Sequence, residues 1–331
     1  MDRYIVGVDL GGTKIYTALA DSRGRIVAET RVPTGAAEGP DAVIGRIAET
    51  VHRVVSLAPP AGAAPAALGI GAPGPLDPVG GVVHSAPNLG WREVPLRQKL
   101  EDTLGIPALV ENDANLAALG EYSFGAGRGA RHMVYVTVST GIGGGLILDG
   151  RIYRGAGGGA GEVGHMVVEP DGPLCGCGRR GCLESLASGT AMAARARELV
   201  EAGLGKAILR EAGGNPERVT AVSVSRAAAA GDREAVAIIS RAGAYLGMGL
   251  ASVVNLINPE RLVLGGGALE AGGPLWDAME RELSARALPS SLDRVTVVRS
   301  GLGHRSGLMG AIALAMGALT SGNSGTGGRI W

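Results

Sequence analysis

Short apolar runs separated by glycine-rich turns open the sequence. Residues 4–9 form an apolar, β-branched run, and Gly11 and Gly12 separate it from further apolar runs at 14–20 and 25–32. Runs of this length and composition are typical of strands, and glycine pairs are typical of the turns that join them. The pattern therefore predicts an antiparallel meander with a glycine turn at its first corner.

Longer segments with helical spacing follow, interspersed with further strand-like runs. The apolar spacing predicts helices at 41–57, 96–104, 114–122, 183–188, 191–201, 223–230, 234–257 and 307–319. Strands are predicted at 67–71, 82–83, 108–110, 134–139, 261–264 and 295–299. Asp232 is the expected N-cap of the long helix 234–257. These elements describe an α/β protein.

The opening pattern occurs a second time in the chain. A strand at 134–139 leads into the turn 140–145, with Thr140 beside its glycines, and a further strand at 146–150 follows. Such repetition argues for two similar halves, each offering a phosphate-holding turn to the cleft between them. This layout resembles the actin-like ATPase fold, which is ribonuclease H-like and has two related domains flanking a nucleotide and sugar cleft.

The first glycine turn is a candidate anion site. Backbone amides that such a turn frees form a concavity for phosphate, and the Thr13 hydroxyl adds a donor beside Gly11 and Gly12. Asp9 cannot itself bind a phosphate, so it suits the site only if a hydrated cation lies between them. The alternative is an ordinary hairpin corner with a surface aspartate.

All three cysteines of the chain lie in one glycine-rich segment. Cys175, Cys177 and Cys182 follow His165 closely, and three thiolates with one imidazole make a complete tetrahedral zinc set. The alternative of unrelated buried thiols does not explain their gathering in this segment. Four protein ligands leave no open position for an activated water, so the predicted zinc is structural.

Two further motifs allow two interpretations each. Asp113 follows a predicted strand and opens a helix, so it or Asn112 could be a helix cap, or Asp113 could accept a proton from a substrate hydroxyl. Residues 265–267 are three glycines that could approach a flat ligand or simply turn tightly. A match to the dinucleotide fingerprint at 159–164 is rejected, because no clear strand precedes it.

Composition and charge limit the function classes. The chain has 331 residues, enough for about two domains, is 46% hydrophobic, and carries 31 basic and 31 acidic residues. This balance favours neither nucleic acid nor a membrane surface as partner. The first residues lack the features of a signal peptide, and no apolar run is expected to reach the roughly 18 residues of a membrane span. A cytoplasmic location is expected, where metal-binding cysteines stay reduced.

Taken together, the motifs resemble those of the ROK family of sugar kinases and sugar-responsive repressors. The resemblance extends over nearly the whole chain and lies in the segments 9–13, 71–74, 86–91, 111–113, 139–144, 162–165, 175–184 and 264–267. It implies Asp113 as the catalytic base. The residues that the resemblance implies around the sugar are Gly74, Asn88, Asn112, Asp113, Glu162, His165 and Glu184. Those implied around ATP and Mg²⁺ are Asp9, Gly11, Gly12, Thr13, Thr140, Gly141, Gly265 and Gly266, the last two near the adenosine.

The resemblance also implies an activity. It is nearest to the glucokinase branch, which predicts transfer of the γ-phosphoryl of ATP, with Mg²⁺, to the 6-hydroxyl of glucose. N-acetylmannosamine, N-acetylglucosamine, fructose or mannose are alternative substrates, and polyphosphate is an alternative donor. His165 could bind zinc through one ring nitrogen and donate to a sugar hydroxyl through the other. A homodimer or homotetramer is the implied assembly.

Two alternatives belong to other classes of protein. A sugar-responsive regulator would need a DNA-reading module ahead of the fold, whereas the first strand is expected to begin by Tyr4. A non-catalytic sugar-binding protein would need neither Asp113 nor two phosphate turns.

The predicted domain division follows from the family fold. A smaller α/β domain is expected at 1–113 together with about 306–319. A larger α/β domain with the zinc loop is expected at 114–305. Residues 320–331, rich in Ser and Gly, are expected to form a disordered tail.

Overall fold

The computed structural model describes residues 3–57 and 64–321. The last helix extends to Ser321. The remainder of the predicted tail lies outside the described residues.

The first eight strands form two sheets. They are β1 (Ile5–Leu10), β2 (Lys14–Ala20), β3 (Ile26–Pro33), β4 (Leu68–Ala72), β5 (Leu76–Asp77), β6 (Val82–Ala86), β7 (Trp91–Val94) and β8 (Ala108–Asn112). The larger sheet has the order β3-β2-β1-β4-β8 and the smaller one the order β5-β6-β7. In the larger sheet β1, β2 and β3 pair antiparallel, whereas β1, β4 and β8 pair parallel. The predicted opening meander is confirmed.

The remaining strands repeat this topology. They are β9 (Met133–Val138), β10 (Ile142–Leu148), β11 (Arg151–Ile152), β12 (Arg261–Gly265) and β13 (Thr296–Arg299). Their sheet has the order β11-β10-β9-β12-β13, with β10 and β11 antiparallel and β12 and β13 parallel. The predicted duplication is thus confirmed. The second glycine turn is shorter than expected, because β10 begins at Ile142 and residues 143–145 extend the strand.

Helices connect and cover these strands. They are α1 (Pro40–Ser56), α2 (Leu96–Leu104), α3 (Asp113–Phe124), α4 (Leu183–Ala187), α5 (Gly189–Glu201), α6 (Lys206–Glu211), α7 (Ala221–Ala229), α8 (Arg233–Ile257), α9 (Gly273–Arg286), α10 (Pro289–Leu292) and α11 (Ser306–Ser321). Asp232 caps α8 as predicted, since its carboxylate accepts from the N–H of Ala235. The sequence pattern assigned no element to α6, α9 or α10: α6 and α10 are short, and α9 opens on Gly and Pro.

The long helix α8 corrects one expectation drawn from hydropathy. Over an 18-residue window its mean hydropathy is 1.4, so by length and composition alone it could cross a membrane. More than half of that window is buried inside the protein, and α8 packs against α7 and α9. The core helix of a globular protein has the same properties, so this similarity is weak evidence for a membrane span.

The chain divides into two compact units. Unit 1 comprises residues 1–135, 145–161 and 300–331, and unit 2 comprises 136–144 and 162–299. These bounds differ from the predicted domains because residues 114–135, which include α3, and residues 145–161 and 300–305 belong to unit 1. Helix α3 lies against α11 so closely that a Cβ at Gly310 would collide with the Leu116 carbonyl. Small residues permit such close approach of two helix backbones.

A buried carboxylate on α3 ties the helix to the segment before α11. The side chain of Glu121 is fully buried and accepts hydrogen bonds from the hydroxyls of Ser300 and Ser306. The backbone N–H groups of Ala126, Gly301 and Leu302 also donate to it, at 2.8–3.0 Å. Burial acts to raise the pKa of Glu121, but these hydrogen bonds outweigh it and the pKa is lowered.

The substitution Glu121→Gln should therefore lower the free energy of unfolding at neutral pH by about 2–3 kcal/mol, because an amide N–H₂ would face two backbone donors. The lowered pKa of Glu121 means that the unfolded chain binds the proton first as pH falls. Its contribution to stability is complete above the unfolded pKa of about 4.3 and is lost as pH falls through the folded pKa.

Denaturant unfolding at several pH values measures both effects. The advantage of the parent protein over Glu121→Gln should shrink below about pH 4.3. The exposed Glu49→Gln variant is the matched control. Equal stability of the parent and Glu121→Gln at pH 7 would contradict the prediction.

Candidate functional site

The first glycine turn lies beside one of the predicted sugar residues. The turn is closed by the N–H of Gly11, which donates to the Lys14 carbonyl at 3.0 Å. A Cβ at Gly12 would lie 3.2 Å from the Asn88 Cβ and from its carbonyl oxygen. Unit 1 thus brings Gly12 and the exposed Asn88 together, although they are 76 positions apart in the sequence.

Asp9 lies at the end of β1, next to the first turn of α11. A Cβ at Gly307 would lie 3.1 Å from the Asp9 carboxyl carbon. Burial raises the pKa of Asp9, and the charges of Lys14 and Arg31 oppose that effect. A carboxylate in such surroundings is stabilised by a cation, which agrees with the Mg²⁺-related role predicted for it.

The end of β8 and the start of α3 carry the predicted catalytic residue. Asn112 is the N-cap of α3, and its Oδ1 accepts from the N–H groups of Ala114 and Asn115. Asn112 is therefore a helix cap whose side-chain Nδ2 points away from these N–H groups as a donor. The Oδ1 of Asp113 also accepts from the N–H of Ala114, at 2.8 Å. Asp113 is the first residue of α3 and its side chain is exposed. A capped helix start holds an exposed carboxylate at the carboxyl end of a parallel strand.

The loop after β4 lies close to the same helix start. A Cβ at Gly74 would be 3.5 Å from Asn112 Nδ2, and one at Gly71 would be 3.6 Å from the Asp113 Cα. Glycines at these positions let the loop backbone approach Asn112 and Asp113. Unit 1 therefore assembles the predicted residues Gly74, Asn112 and Asp113.

The predicted zinc ligands form one cluster in unit 2. One ligand atom each from His165, Cys175, Cys177 and Cys182 lies within 4.8 Å of all the others. The Sγ atoms of Cys177 and Cys182 are 3.7 Å apart, and Cys175 Sγ is also 3.7 Å from His165 Nδ1. A tetrahedron with metal–sulfur bonds of about 2.3 Å has edges of roughly 3.8 Å between its sulfur atoms. The four side chains therefore fit a tetrahedral metal ion.

A buried thiolate in this cluster needs a cation beside it. Burial, reinforced by the two neighbouring thiols, raises the pKa of Cys182 to about 12. The thiolate is the form that binds metals, and a divalent cation supplies the charge that stabilises it.

The predicted sugar residues of unit 2 lie in this cluster or next to it. The Nε2 atom of His165, on the other side of the ring from Cys175, is 4.0 Å from a carboxylate oxygen of Glu162. Glu184 accepts a hydrogen bond from the N–H of Ile142 at 2.9 Å, and its other oxygen is 3.9 Å from Cys175 Sγ. Glu184 thus joins the cluster to the second glycine turn, a contact that the sequence pattern did not predict.

The second glycine turn borders a cavity of about 650 Å³ in unit 2. The helix α5 is anchored to this turn, because the N–H groups of Gly189 and Thr190 donate to the carbonyls of Ser139 and Thr140. The cavity is lined by Ser139, Thr140, Gly189, Thr190, Ala193, Arg197, Thr220, Ala221, Val222, Ser225, Arg226, Ala229, Gly267, Ala268 and Glu270.

The three glycines at 265–267 differ in their relation to this cavity. The cavity wall contains Gly267, whereas Gly265 and Gly266 are not part of it. Gly266 has φ 97°, and a Cβ there would collide with the Val138 carbonyl. Its role is to let the end of β12 pass close to β9. The sequence pattern missed the cavity residues on α5 and α7, since only tertiary packing brings these helices together.

Known proteins match this chain over nearly its full length. The model of the ROK family matches residues 5–318. The chain is 38% identical to a glucokinase of Halalkalibacterium halodurans, with 93% of this chain and 94% of the relative covered.

Solved structures and regulators also match. A ROK family glucokinase from Streptomyces griseus, solved in complex with glucose and AMPPNP, has a TM-score of 0.80 and 36% identity, covering 94% of this chain and 99% of that one. The xylose repressor of Caldicellulosiruptor bescii is 30% identical, with 96% of this chain and 79% of the relative covered. The duplicated sheets, the cysteine cluster and these matches agree, and the chain belongs to the ROK family.

Proposed function

We propose that the chain is an ATP-dependent glucokinase, which transfers the γ-phosphoryl group of ATP to the 6-hydroxyl of glucose. The observation that carries this function is the similarity to glucokinases over more than nine-tenths of the chain. The exposed Asp113 at the capped start of α3 supplies the chemistry that such an enzyme requires.

Asp113 is the proposed general base. A carboxylate accepts the hydrogen bond of the sugar hydroxyl, aligns its oxygen for attack, and takes the proton as the phosphoryl group is transferred. The cap formed by Asn112 fixes the first turn of α3, so the carboxylate is held before the substrate binds.

The remaining sugar contacts come from carboxylates, amides and an imidazole. Carboxylates make charge-assisted, directional hydrogen bonds to hydroxyls, which suits Glu162 and Glu184. Asn88 and Asn112 can donate through their amides, and the Gly74 backbone lies beside Asn112. His165, with Nδ1 toward the cluster, has Nε2 available for a sugar hydroxyl.

The nucleotide residues divide between phosphates and nucleoside. The turns containing Gly11, Gly12 and Thr13, and Thr140 with Gly141, are proposed to bind phosphate oxygens through backbone N–H groups. Gly265 and Gly266 shape the end of β12 that leads into the cavity wall, and the 650 Å³ cavity is the proposed nucleoside site. Mg²⁺ bound with ATP would neutralise charge on the phosphates near Asp9.

The substitution Ser225→Trp tests the nucleoside site. The half-buried Ser225 lines the cavity from α7, so an indole there should occupy the volume that adenosine needs. We expect the KM for ATP to rise by about tenfold or more, which corresponds to about 1.4 kcal/mol of binding, while the KM for glucose stays within about twofold.

The control for this prediction is Ala230→Trp, at the exposed end of α7 and outside the cavity wall. Steady-state kinetics with each substrate varied in turn measure both constants. An unchanged KM for ATP in Ser225→Trp would exclude this cavity as the nucleoside site.

The proposed metal of the cysteine cluster is zinc in a structural role. Three thiolates and an imidazole suit Zn²⁺ and close its coordination sphere, so no position remains for an activated water. Bound zinc would orient the His165 ring through Nδ1 and thereby aim Nε2.

The decisive assay measures ATP-dependent phosphorylation of glucose, mannose, fructose, N-acetylglucosamine and N-acetylmannosamine, with polyphosphate as an alternative donor. We expect glucose with ATP to give the highest kcat/KM. A higher kcat/KM for another sugar would reassign the substrate within the family.

A sugar-responsive regulator is the second candidate, because the xylose repressor is 30% identical to this chain over 96% of its length. Sugar binding without turnover of any of these substrates would favour that function. The proposed location is the cytoplasm, where ATP is available and free thiols such as those of this chain stay reduced. The proposed assembly is a homodimer or homotetramer.

A further inference from the structure

A buried carboxylate directly precedes the proposed sugar and base residues. Glu111, the last residue but one of β8, is only 1% exposed. Its Oε1 accepts from the N–H of Asn112 and from the side-chain Nδ2 of Asn115, both at 3.0 Å. Glu111 therefore holds the backbone of Asn112 and the side chain of Asn115 in the first turn of α3. Asp113 lies between these two residues in the sequence.

The second oxygen of Glu111 has a charged partner. Arg154 donates to Glu111 Oε2 through Nε at 2.6 Å, and the Arg154 side chain is 24% exposed. Breaking a buried ion pair by removing one partner leaves an uncompensated charge, which rearranges its surroundings. The buried Asn115 Oδ1 has no hydrogen-bond partner within the described residues, so Glu111 provides the hydrogen bond that orients the Asn115 side chain.

Arg154 also anchors the segment that leads to the predicted sugar residue Glu162. Its carbonyl accepts from the N–H of Ala160 at 3.1 Å and closes a loop over residues 154–160. Gly161 follows this loop, and Glu162 comes next in the sequence. The Arg154 side chain thus links this loop to the residues around Asp113.

We infer that Glu111 and Arg154 form a positioning pair, which holds Asp113 in the orientation needed to accept the proton from the sugar. The inference rests on the proposed kinase function. Neither residue touches the reacting atoms; both act through the backbone of Asn112 and the first turn of α3. Misplacement of a reacting group by about 1 Å can cost about a hundredfold in rate.

The test compares Arg154→Met and Arg154→Lys with the parent protein. Met removes the charge, whereas the Lys ammonium can still reach the Glu111 carboxylate. We expect Arg154→Met to lower kcat by about 30- to 100-fold with the KM for ATP within about twofold, and Arg154→Lys to recover kcat to within about fivefold of the parent. If the pair served stability alone, both variants would have a lower melting temperature. They would not show a lowered kcat at an unchanged KM for ATP.

Two further variants complete the test. The exposed Arg151→Met, three residues earlier on β11, is the matched control and should have the kcat of the parent. Glu111→Gln keeps an oxygen for Asn112 and Asn115 but loses the charge that Arg154 faces. Its kcat should fall about tenfold, and combining it with Arg154→Met should give less than the product of the two losses, because the pair acts as a unit. It also replaces Arg154→Met if that variant does not fold.

The possible failures are distinguishable. An active parent with normal kcat in folded Arg154→Met, or in Glu111→Gln, would overturn the positioning pair and leave the kinase function intact. A parent protein that phosphorylates none of the sugars would overturn the proposed function and this inference with it.

Discussion

The substitution Asp113→Asn should lower kcat by roughly three orders of magnitude or more, because an amide cannot take the proton from the attacking sugar hydroxyl. The change is nearly isosteric. Asn112 would still cap α3 through Ala114 and Asn115, so the helix start keeps its structure. The KM for ATP should stay within about threefold, because the proposed nucleotide residues lie elsewhere in the chain.

Steady-state kinetics with glucose and ATP, together with nucleotide binding by calorimetry, measure this effect. Asp149→Asn, at an exposed aspartate after β10, is the matched control and should behave as the parent protein. Near-normal turnover of Asp113→Asn would show that Asp113 only contributes to the helix start and would remove it as the base.

Loss of one metal ligand should have the largest effect on stability. The Cys182 side chain is completely buried, and its Sγ lies in the cluster with Cys175, Cys177 and His165. In Cys182→Ala we expect bound zinc to fall from about one ion per chain to nearly none. The melting temperature should drop by more than 5 °C, because a structural site contributes its binding free energy to folding.

Metal analysis of the purified protein and thermal unfolding with and without a chelator test this prediction. The chelator should lower the melting temperature of the parent and leave that of Cys182→Ala unchanged. Ser185→Ala, three residues later and outside the ligand set, is the control. A parent protein that contains no zinc and ignores the chelator would disprove the proposed metal site.

Much of the fold could be predicted because its elements depend on residues close in sequence. The glycine turn between β1 and β2, the helix α2 and the Asp232 cap of α8 all follow from local spacing and composition. Such signals arise from backbone geometry and nearby hydrogen bonds, which a short window of sequence contains. Helix α9 was missed because its opening Gly-Pro resembles a loop.

The sequence also predicted part of the candidate site. The spacing of His165, Cys175, Cys177 and Cys182 predicted a cluster, and the structure brings one ligand atom of each within 4.8 Å of the others. The choice between cap and base at 112–113 was different. It depended on which side chain accepts the helix N–H groups. Asn112 Oδ1 accepts from Ala114 and Asn115, and Asp113 Oδ1 accepts from Ala114 as well.

The sequence by itself determined most of the strands and helices, the duplicated strand–turn–strand pattern and the four residues of the cluster. Only the tertiary structure decided which distant residues meet. Glu121 accepts hydrogen bonds from residues 300–306, and Glu111 pairs with Arg154. The physical reason is that burial and pairing of a charged side chain depend on neighbours from other parts of the chain. The local periodicity of apolar residues contains no information about these neighbours. The hydrogen bonds that the neighbours make decide whether a buried carboxylate stabilises the fold or positions the site.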